Sequence, residues 1–349
     1  MPGIVTEEHV EAARAAGLRY VTNDMPGIRR KRFGRGFSYI GPDGKVIKDP
    51  DQKKRFKSLV IPPAWTDVWI CPDPNGHIQV TARDAKGRKQ YQYHPRYRRA
   101  RDETKFHRML EFSKVLPSIR EKVEKDLDRP GLPRRKVLAA VVRLLEKTLI
   151  RIGNDEYAKD NQSFGLTTLR SEHVEVKGWK LRFEFSGKSG RGHSISLTDG
   201  RIAGIIQRCQ TLPGEELFKY LDKSGKKQVV DSGDINQYMK EITGGDFSAK
   251  DFRTWAGTVH AAVALRAMGI AASQREARSN IVKAVDAVAK QLGNTRAVCR
   301  KYYIHPTVIK SYMNGKVLRT PPAPKKYKRR RPSVGLRRVE TGVIEFLEL

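Results

Sequence analysis

The chain has 349 residues, with 69 Lys and Arg against 38 Asp and Glu, which gives a formal net charge of +31. This excess indicates a polyanionic partner, and nucleic acid is favoured over a membrane because no apolar run approaches the length of a spanning helix. The length allows two domains with real cores. Three widely separated cysteines without a Cys-x-x-Cys pair favour a reducing, cytoplasmic compartment.

The first 93 residues are predicted to form a small β-rich domain. Turn-forming residues at 41–44 and 72–76 separate apolar runs, which predicts two hairpins. A basic strand is expected at 87–93. Tyr91 and Tyr93 would lie on one face of that strand, because side chains alternate along it.

Residues 94–349 are predicted to form a mainly helical domain with a small three-stranded antiparallel sheet. Apolar residues recur at helical spacing over 135–150. Alternating apolar residues on both sides of a glycine-rich loop at 187–192 predict the sheet, and helices are expected to resume after residue 247. The basic, Pro-rich segment 321–332 is interpreted as a linker, and the apolar pattern after it predicts a short C-terminal helix.

Four residues of the second domain have the chemistry needed to attack a phosphodiester: Arg151, Lys188, Arg253 and Tyr303. The reaction passes through a pentacoordinate phosphorane with extra negative charge, which arginines can bind through parallel hydrogen bonds. Tyrosine attacks as phenolate, which neighbouring cations favour, and a lysine can protonate the leaving 5′ oxygen. In a basic chain each residue alone is more often a surface charge, a hairpin tip or a packed aromatic. Their order and local contexts together carry the prediction.

These contexts resemble the motifs of bacterial type IB DNA topoisomerases, a class also found in poxviruses. Residues 61–68 and 87–91 match the small N-terminal clamp of that family, and 164–169, 187–188 and 250–254 match its catalytic domain. The resemblance covers nearly the whole chain. It implies an α+β protein with a DNA-clamp domain over 1–93 and a catalytic domain over 94–349.

The resemblance assigns a role to each matching position. Arg151 and Arg253 would bind the scissile phosphate, Lys188 would be the general acid and Tyr303 the nucleophile. Tyr303 is chosen by register, because the family nucleophile lies nine residues after the His of a Gly-His pair, and that His is Asn294 here. The Asn amide can donate a neutral hydrogen bond but cannot become charged. Contacts with DNA would come from Arg88, Lys89, Gln90, Tyr91 and Tyr93 in the clamp and from Tyr157 in the catalytic domain.

The implied activity is relaxation of positive and negative supercoils through a transient 3′-phosphotyrosine. No ATP, metal or other cofactor would be required. The partner would be double-stranded DNA, encircled by a monomer at the bacterial nucleoid, with no role for a membrane.

Three other functions stay open. A tyrosine recombinase shares the Arg-Lys-Arg-Tyr chemistry, but it usually has His three residues before the second Arg, where this chain has Lys250, and it lacks the clamp. A non-catalytic DNA-binding protein would give Tyr303 no chemical role. An RNA-binding protein is also consistent with the charge alone.

Overall fold

The computed structural model describes residues 7–85, 87–222, 224–319 and 335–348. The chain forms two compact units, residues 1–107 and 108–349. The boundary expected after residue 93 marks the end of the last strand of unit 1 rather than the division between the units. The first turns of the following helix belong to unit 1, since Tyr97 is buried in a cluster with Leu18.

Unit 1 is built on a five-stranded antiparallel sheet with two helices. Its strands are β1 (Ile28–Phe33), β2 (Gly36–Ile40), β3 (Thr66–Ile70), β4 (Ile78–Arg83) and β5 (Lys89–Tyr93), and its helices are α1 (Glu7–Ala15) and α2 (Pro50–Ser58). The strand order is β2-β1-β3-β4-β5. Phe56 of α2 is buried against Ile28, Ile70 and Val80, so that α2 covers one face of the sheet.

The two predicted hairpins have different outcomes. The second is confirmed, because β3 and β4 pair across residues 72–76, with Ile70 opposite Val80. The first is confirmed only in part: Ile40 forms an isolated bridge with Val46 across the turn, but the main partner of β2 is β1. Sequence patterns did not reveal β1, because its run of basic residues has no apolar alternation.

Unit 2 is mainly helical, as predicted. Its helices are α3 (Pro95–Leu127, which begins in unit 1), α4 (Arg134–Thr148), α5 (Asp155–Asn161), α6 (Gly200–Gln210), α7 (Ser232–Thr243), α8 (Ala249–Met268), α9 (Gln274–Leu292), α10 (Arg296–Tyr302), α11 (Pro306–Met313) and α12 (Arg338–Glu348). Its strands are β6 (Val174–Lys177), β7 (Lys180–Gly187), β8 (Arg191–Thr198), β9 (Lys219–Leu221) and β10 (Lys227–Val229). Among the described helices of the chain, none is long and apolar enough to cross a membrane.

Helix α4 lies at the centre of the unit 2 core. Every residue from Val137 to Leu145 is buried, in agreement with the helical spacing of the apolar residues. The helix ends at Thr148, and its C-cap Leu149 has a left-handed backbone (φ 57°, ψ 18°) that turns the chain sharply. Arg151 therefore follows a rigid, fully packed element by only a few residues.

The predicted three-stranded sheet is confirmed, with the order β6-β7-β8. Leu181, Phe183 and Phe185 alternate along β7 and bury one face of the strand. The hairpin between β7 and β8 closes around Lys188, and Ser189 adopts the left-handed conformation (φ 65°, ψ 30°) that the tight turn requires.

The prediction that helices resume only after residue 247 was wrong, since α6 and α7 precede it. Asp199 caps α6 by accepting a hydrogen bond from the Ile202 amide, and Asp231 caps α7 in the same way. Glycines within α6 and at the start of α7 weaken the local helical signal, so burial against the core decides the structure.

The predicted C-terminal helix corresponds to α12. Its Glu340 is buried and forms an ion pair of 2.8 Å with Arg120 of α3, which also pairs with Glu146 of α4 at 2.7 Å. These bonds fix α12 to the core of unit 2. The predicted basic linker, 321–332, lies outside the described residues.

Candidate active site

Arg253 is a buried cation bound to the ends of two helices. It lies near the start of α8 and is only 5 % exposed. Its guanidinium donates one hydrogen bond to the carbonyl of Leu149, at the end of α4, and another to the carbonyl of Leu292, the last residue of α9, at 2.7 Å. The last carbonyls of a helix lack intrahelical partners and carry partial negative charge, so they hold a guanidinium firmly. Burial lowers the pKa of Arg253, although an arginine remains charged.

Tyr303 lies against Arg253. The guanidinium carbon is 5.5 Å from the centroid of the Tyr303 ring, and the nearby Tyr303 side chain partly offsets the lowering of the Arg253 pKa by burial. Gly257 of α8 makes this approach possible, because a Cβ there would lie 2.5 Å from the Tyr303 carbonyl oxygen. The neighbouring Tyr302 is 40 % exposed and lies under the ammonium group of Lys301.

Arg151 provides the second guanidinium of the site and is half-buried. It donates hydrogen bonds to the carbonyl of Gly293, at 3.3 Å, and to the side-chain oxygen of Asn294. Burial lowers the pKa of Arg151, and the nearby charge of Arg253 lowers it further. Neither guanidinium forms an ion pair with a carboxylate in the described part of the chain, and two neighbouring like charges favour the binding of an anion.

Asn294 follows Gly293, the C-cap of α9 (φ 59°, ψ 43°). Its carbonyl accepts a hydrogen bond from Arg191 at 3.1 Å, while its side-chain oxygen accepts one from Arg151. Its amide nitrogen is buried and has no hydrogen-bond partner of normal geometry among the described residues, although the Cys299 thiol is close by. The amide nitrogen of Asn294 is therefore available to donate to a further acceptor.

Lys188 lies at the exposed tip of the β7–β8 hairpin. It lines the same small cleft as Arg151 and Arg253. Three of the five predicted catalytic residues thus meet at one cleft, and direct contacts with the arginines connect Asn294 and Tyr303 to it. Residues separated by about half of the chain are brought together by the ends of α4 and α9 and the start of α8.

His193 also lines this cleft, although it was not among the residues predicted from the sequence. Its ring is stacked on Phe185, with the centroids 5.0 Å apart and the planes at 15°. A Cβ on Gly187 would lie 2.6 Å from the ring, and one on Gly293 would lie 2.8 Å from it. The imidazole therefore fills the space between the Lys188 hairpin and the end of α9. The sequence does contain a sign of this placement. His193 lies two residues before Ile195 on β8, so the two side chains share the inward-facing side of the strand.

Burial lowers the pKa of His193, and the charges of Arg151, Arg253 and Arg191 lower it further. The ring is consequently neutral near pH 7. A neutral imidazole can pack against the arginines without adding to their mutual repulsion.

The predicted clamp contacts lie on or beside β5 in unit 1. The Asp84 carboxylate accepts hydrogen bonds from Arg88 at 2.8 Å and from Gln90 at 2.9 Å. Lys89 donates to the side chain of Asn23 at 2.8 Å. These three side chains are therefore held in place by neighbours on the surface of unit 1.

The two tyrosines of β5 share one face, as predicted. The rings of Tyr91 and Tyr93 are stacked, with centroids 6.1 Å apart and planes at 11°, and Tyr91 is 44 % exposed. Tyr93 is packed in turn against Tyr97. The remaining predicted contact, the side chain of Tyr157 on α5, lies outside the described part of the structure.

Comparison with known proteins gives matches over both units. Residues 94–323 match the family model described as eukaryotic DNA topoisomerase I, catalytic core. Residues 36–84 match the model for the bacterial DNA topoisomerase IB N-terminal domain. Each match falls on the region for which the sequence motifs implied the corresponding domain.

Curated relatives carry the same class name. The DNA topoisomerase 1B of Acanthamoeba polyphaga mimivirus is 31 % identical over 297 residues, which cover 83 % of this chain and 88 % of that protein. The DNA topoisomerase 1B of Vaccinia virus is 29 % identical over 115 residues, covering 32 % of this chain and 36 % of that protein. A solved structure of the XerH site-specific recombinase bound to its difH substrate matches 54 % of this chain and 48 % of its own, with 10 % identity and a TM-score of 0.35, too low to inform function.

The family match spans most of the chain, and the mimivirus relative is aligned along nearly its full length. The chain therefore belongs to the type IB DNA topoisomerases.

Proposed function

We propose that this protein relaxes positive and negative supercoils by cutting one strand of duplex DNA with Tyr303 and then rejoining it. The observation that carries the proposal is the placement of Arg253 against Tyr303. A guanidinium bound to the carbonyls of Leu149 and Leu292 is already oriented before a phosphate arrives. Such preorganised donors stabilise developing negative charge without reorganisation during the reaction.

Cleavage exchanges one phosphoester bond for another. The Tyr303 phenolate attacks the phosphorus, a bond forms between them, and the bond to the 5′ oxygen breaks. Lys188 delivers a proton to that oxygen, while Arg151 and Arg253 donate hydrogen bonds to the non-bridging oxygens. The free amide N–H of Asn294 supplies a further neutral donor.

Religation is the reverse of this step. The 5′ hydroxyl attacks the phosphotyrosine and releases Tyr303, after the free end has rotated about the intact strand. Because the covalent intermediate preserves a phosphoester, the cycle needs no ATP. Cationic side chains carry the charge stabilisation, so the proposed cycle has no step that requires a metal.

The proposal also states how duplex DNA is bound. Unit 1 binds duplex DNA through β5, with Arg88, Lys89, Gln90, Tyr91 and Tyr93 as contacts, and a monomer encircles the duplex. The ordered side chains of β5 support this role, because contacts that are fixed before binding lose less conformational entropy.

Relaxation of plasmid DNA tests the proposal directly. The wild-type protein should relax positively and negatively supercoiled plasmid without ATP and in the presence of EDTA, and denaturant should trap a covalent adduct at a 3′ end. Tyr303→Phe retains the ring beside Arg253 and should keep DNA binding while losing both relaxation and the adduct. Relaxation by Tyr303→Phe, or a strict need for ATP or Mg²⁺, would refute the proposal. Site-dependent strand exchange by a tetramer would instead indicate a recombinase.

A further inference from the structure

The hairpin formed by β1 and β2 is a basic two-stranded ribbon at the edge of the unit 1 sheet that lies opposite β5. Only Ile28 and Arg29 of β1 pair with β3, so from Arg30 to Phe33 the strand pairs with β2 alone. At about 3.3 Å per residue, this two-stranded part is roughly 10 Å long. The turn at Gly34 (φ 56°) closes its tip.

Arg30 has a structural role in this ribbon, because its guanidinium is bound by neighbouring groups of unit 1. It donates hydrogen bonds to the carbonyls of Ile61 and Pro62, both at 3.0 Å, and of Trp65, at 2.7 Å. Its guanidinium also lies 4.1 Å above the centre of the Phe37 ring. Arg30 therefore fixes the base of the ribbon to the rest of unit 1.

The other cations of the ribbon are arranged differently. Arg29, Lys31, Arg32 and Arg35 are exposed, and none forms an ion pair with an acidic side chain in the described residues. Alternation along β1 puts Arg29, Lys31 and the 77 % exposed Phe33 on one face. The residues opposite Lys31 and Phe33 on β2 are the small Ser38 and Gly36. This face therefore combines uncompensated positive charge with room for a phosphate backbone to approach.

We infer that this ribbon is a second DNA-binding element of unit 1, separate from β5, and that it enters the major groove of the duplex. A two-stranded antiparallel ribbon fits that groove, which is about 12 Å wide and 8.5 Å deep in B-form DNA. Cations along its face reach the phosphates that border the groove, and Phe33 at the tip faces the base edges. The inference rests on the proposed function, action on duplex DNA, and assigns a second DNA-binding surface to unit 1.

Charge removal at matched positions tests the ribbon. The variant Arg29→Gln, Lys31→Gln, Arg32→Gln removes three exposed cations from β1. The control Lys53→Gln, Lys54→Gln, Lys57→Gln removes three exposed cations from α2 of the same unit. Both are made in Tyr303→Phe, so that equilibrium binding to a short DNA duplex is measured without cleavage. Circular dichroism and thermal unfolding establish that both variants fold.

The ribbon variant should lose roughly 10- to 100-fold in affinity near physiological salt, and its slope of log K against log salt should become shallower by roughly two to three units. The control should change both quantities much less. Binding to an RNA duplex, whose major groove is too narrow for a ribbon, should show no such difference between the variants. Equal losses in the two variants, or an equal dependence on RNA, would overturn the inference. Failure of the parent protein to bind DNA at all would instead refute the proposed function.

Discussion

At the scale of single residues, the site depends on donors that are fixed before substrate arrives. Arg253 is tied to two helix ends, Arg151 is tied to Gly293 and Asn294, and each arginine therefore has a defined orientation. Asn294 differs in that its side-chain oxygen accepts a hydrogen bond from Arg151, while its amide nitrogen has no partner of normal geometry among the described residues. We propose that this nitrogen donates to a phosphate oxygen.

Replacing Asn294 should have a modest effect. Asn294→Ala removes one neutral donor, worth about 1 kcal/mol, and also the side-chain acceptor of Arg151, which keeps its bond to the Gly293 carbonyl. The variant should slow single-turnover cleavage of a DNA duplex by roughly 5- to 10-fold. Asn294→Asp puts a carboxylate where the phosphate binds and should slow cleavage far more. DNA affinity, measured in parallel, serves as the control. Full cleavage activity of Asn294→Ala would remove Asn294 from the site.

At the scale of secondary structure, the proposed role of Lys188 as general acid requires that the β7–β8 hairpin be held against the end of α9. His193 provides that contact, because its ring occupies the gap between Gly187 and Gly293. Gly187 has a negative φ of −98°, so a larger residue there is excluded by the imidazole and not by its own backbone.

This packing makes a double-variant prediction possible. Gly187→Ala should push the imidazole or the hairpin out of place, lowering the free energy of unfolding by about 1–3 kcal/mol and slowing cleavage. Combining it with His193→Ala should restore part of the cleavage rate, because the atoms in conflict have been removed. Urea unfolding and single-turnover cleavage measure the two effects. If the losses of stability and cleavage rate in the double variant equal the sum of those in the two single variants, His193 does not connect the β7–β8 hairpin to the end of α9.

The same elements show what the sequence could and could not predict. Helix α4 and strand β7 were predicted because their apolar residues follow the helix and strand periods with few interruptions. Strand β1 was not predicted, because it is stabilised by pairing with β2 and by the hydrogen bonds of Arg30 to a loop about 30 residues away. The proposed catalytic residues were chosen by local motif, but the bonds of Arg253 to Leu149 and Leu292 depend on tertiary packing that no local pattern encodes.

At the scale of the whole molecule, the net charge of +31 is the dominant property. Some of the positive charges are neutralised by ion pairs within the protein, as in the pairs of Arg120 with Glu146 and Glu340. On the β1–β2 ribbon, by contrast, Arg29, Lys31, Arg32 and Arg35 are exposed and form no ion pair within the described residues. Binding to a polyanion should therefore be driven largely by the release of counterions.

Salt should consequently weaken DNA binding steeply. With six or more phosphate contacts, affinity should fall on the order of a thousandfold between about 50 and 200 mM salt. Titration of Tyr303→Phe with a DNA duplex at several salt concentrations measures the slope without interference from cleavage. A slope shallower than about −2 would mean that few phosphates are contacted, and the encircling arrangement would have to be abandoned.

The bonds of Arg253 to the ends of α4 and α9 have a consequence for a chain that is still folding. In the proposed mechanism Tyr303 attacks as a phenolate, which needs neighbouring cations. The guanidinium of Arg253 is oriented only after the ends of both helices have met, so a half-folded molecule has the tyrosine without the fixed cation beside it. Under this proposal, strand cleavage and strand rejoining become possible at the same stage of folding.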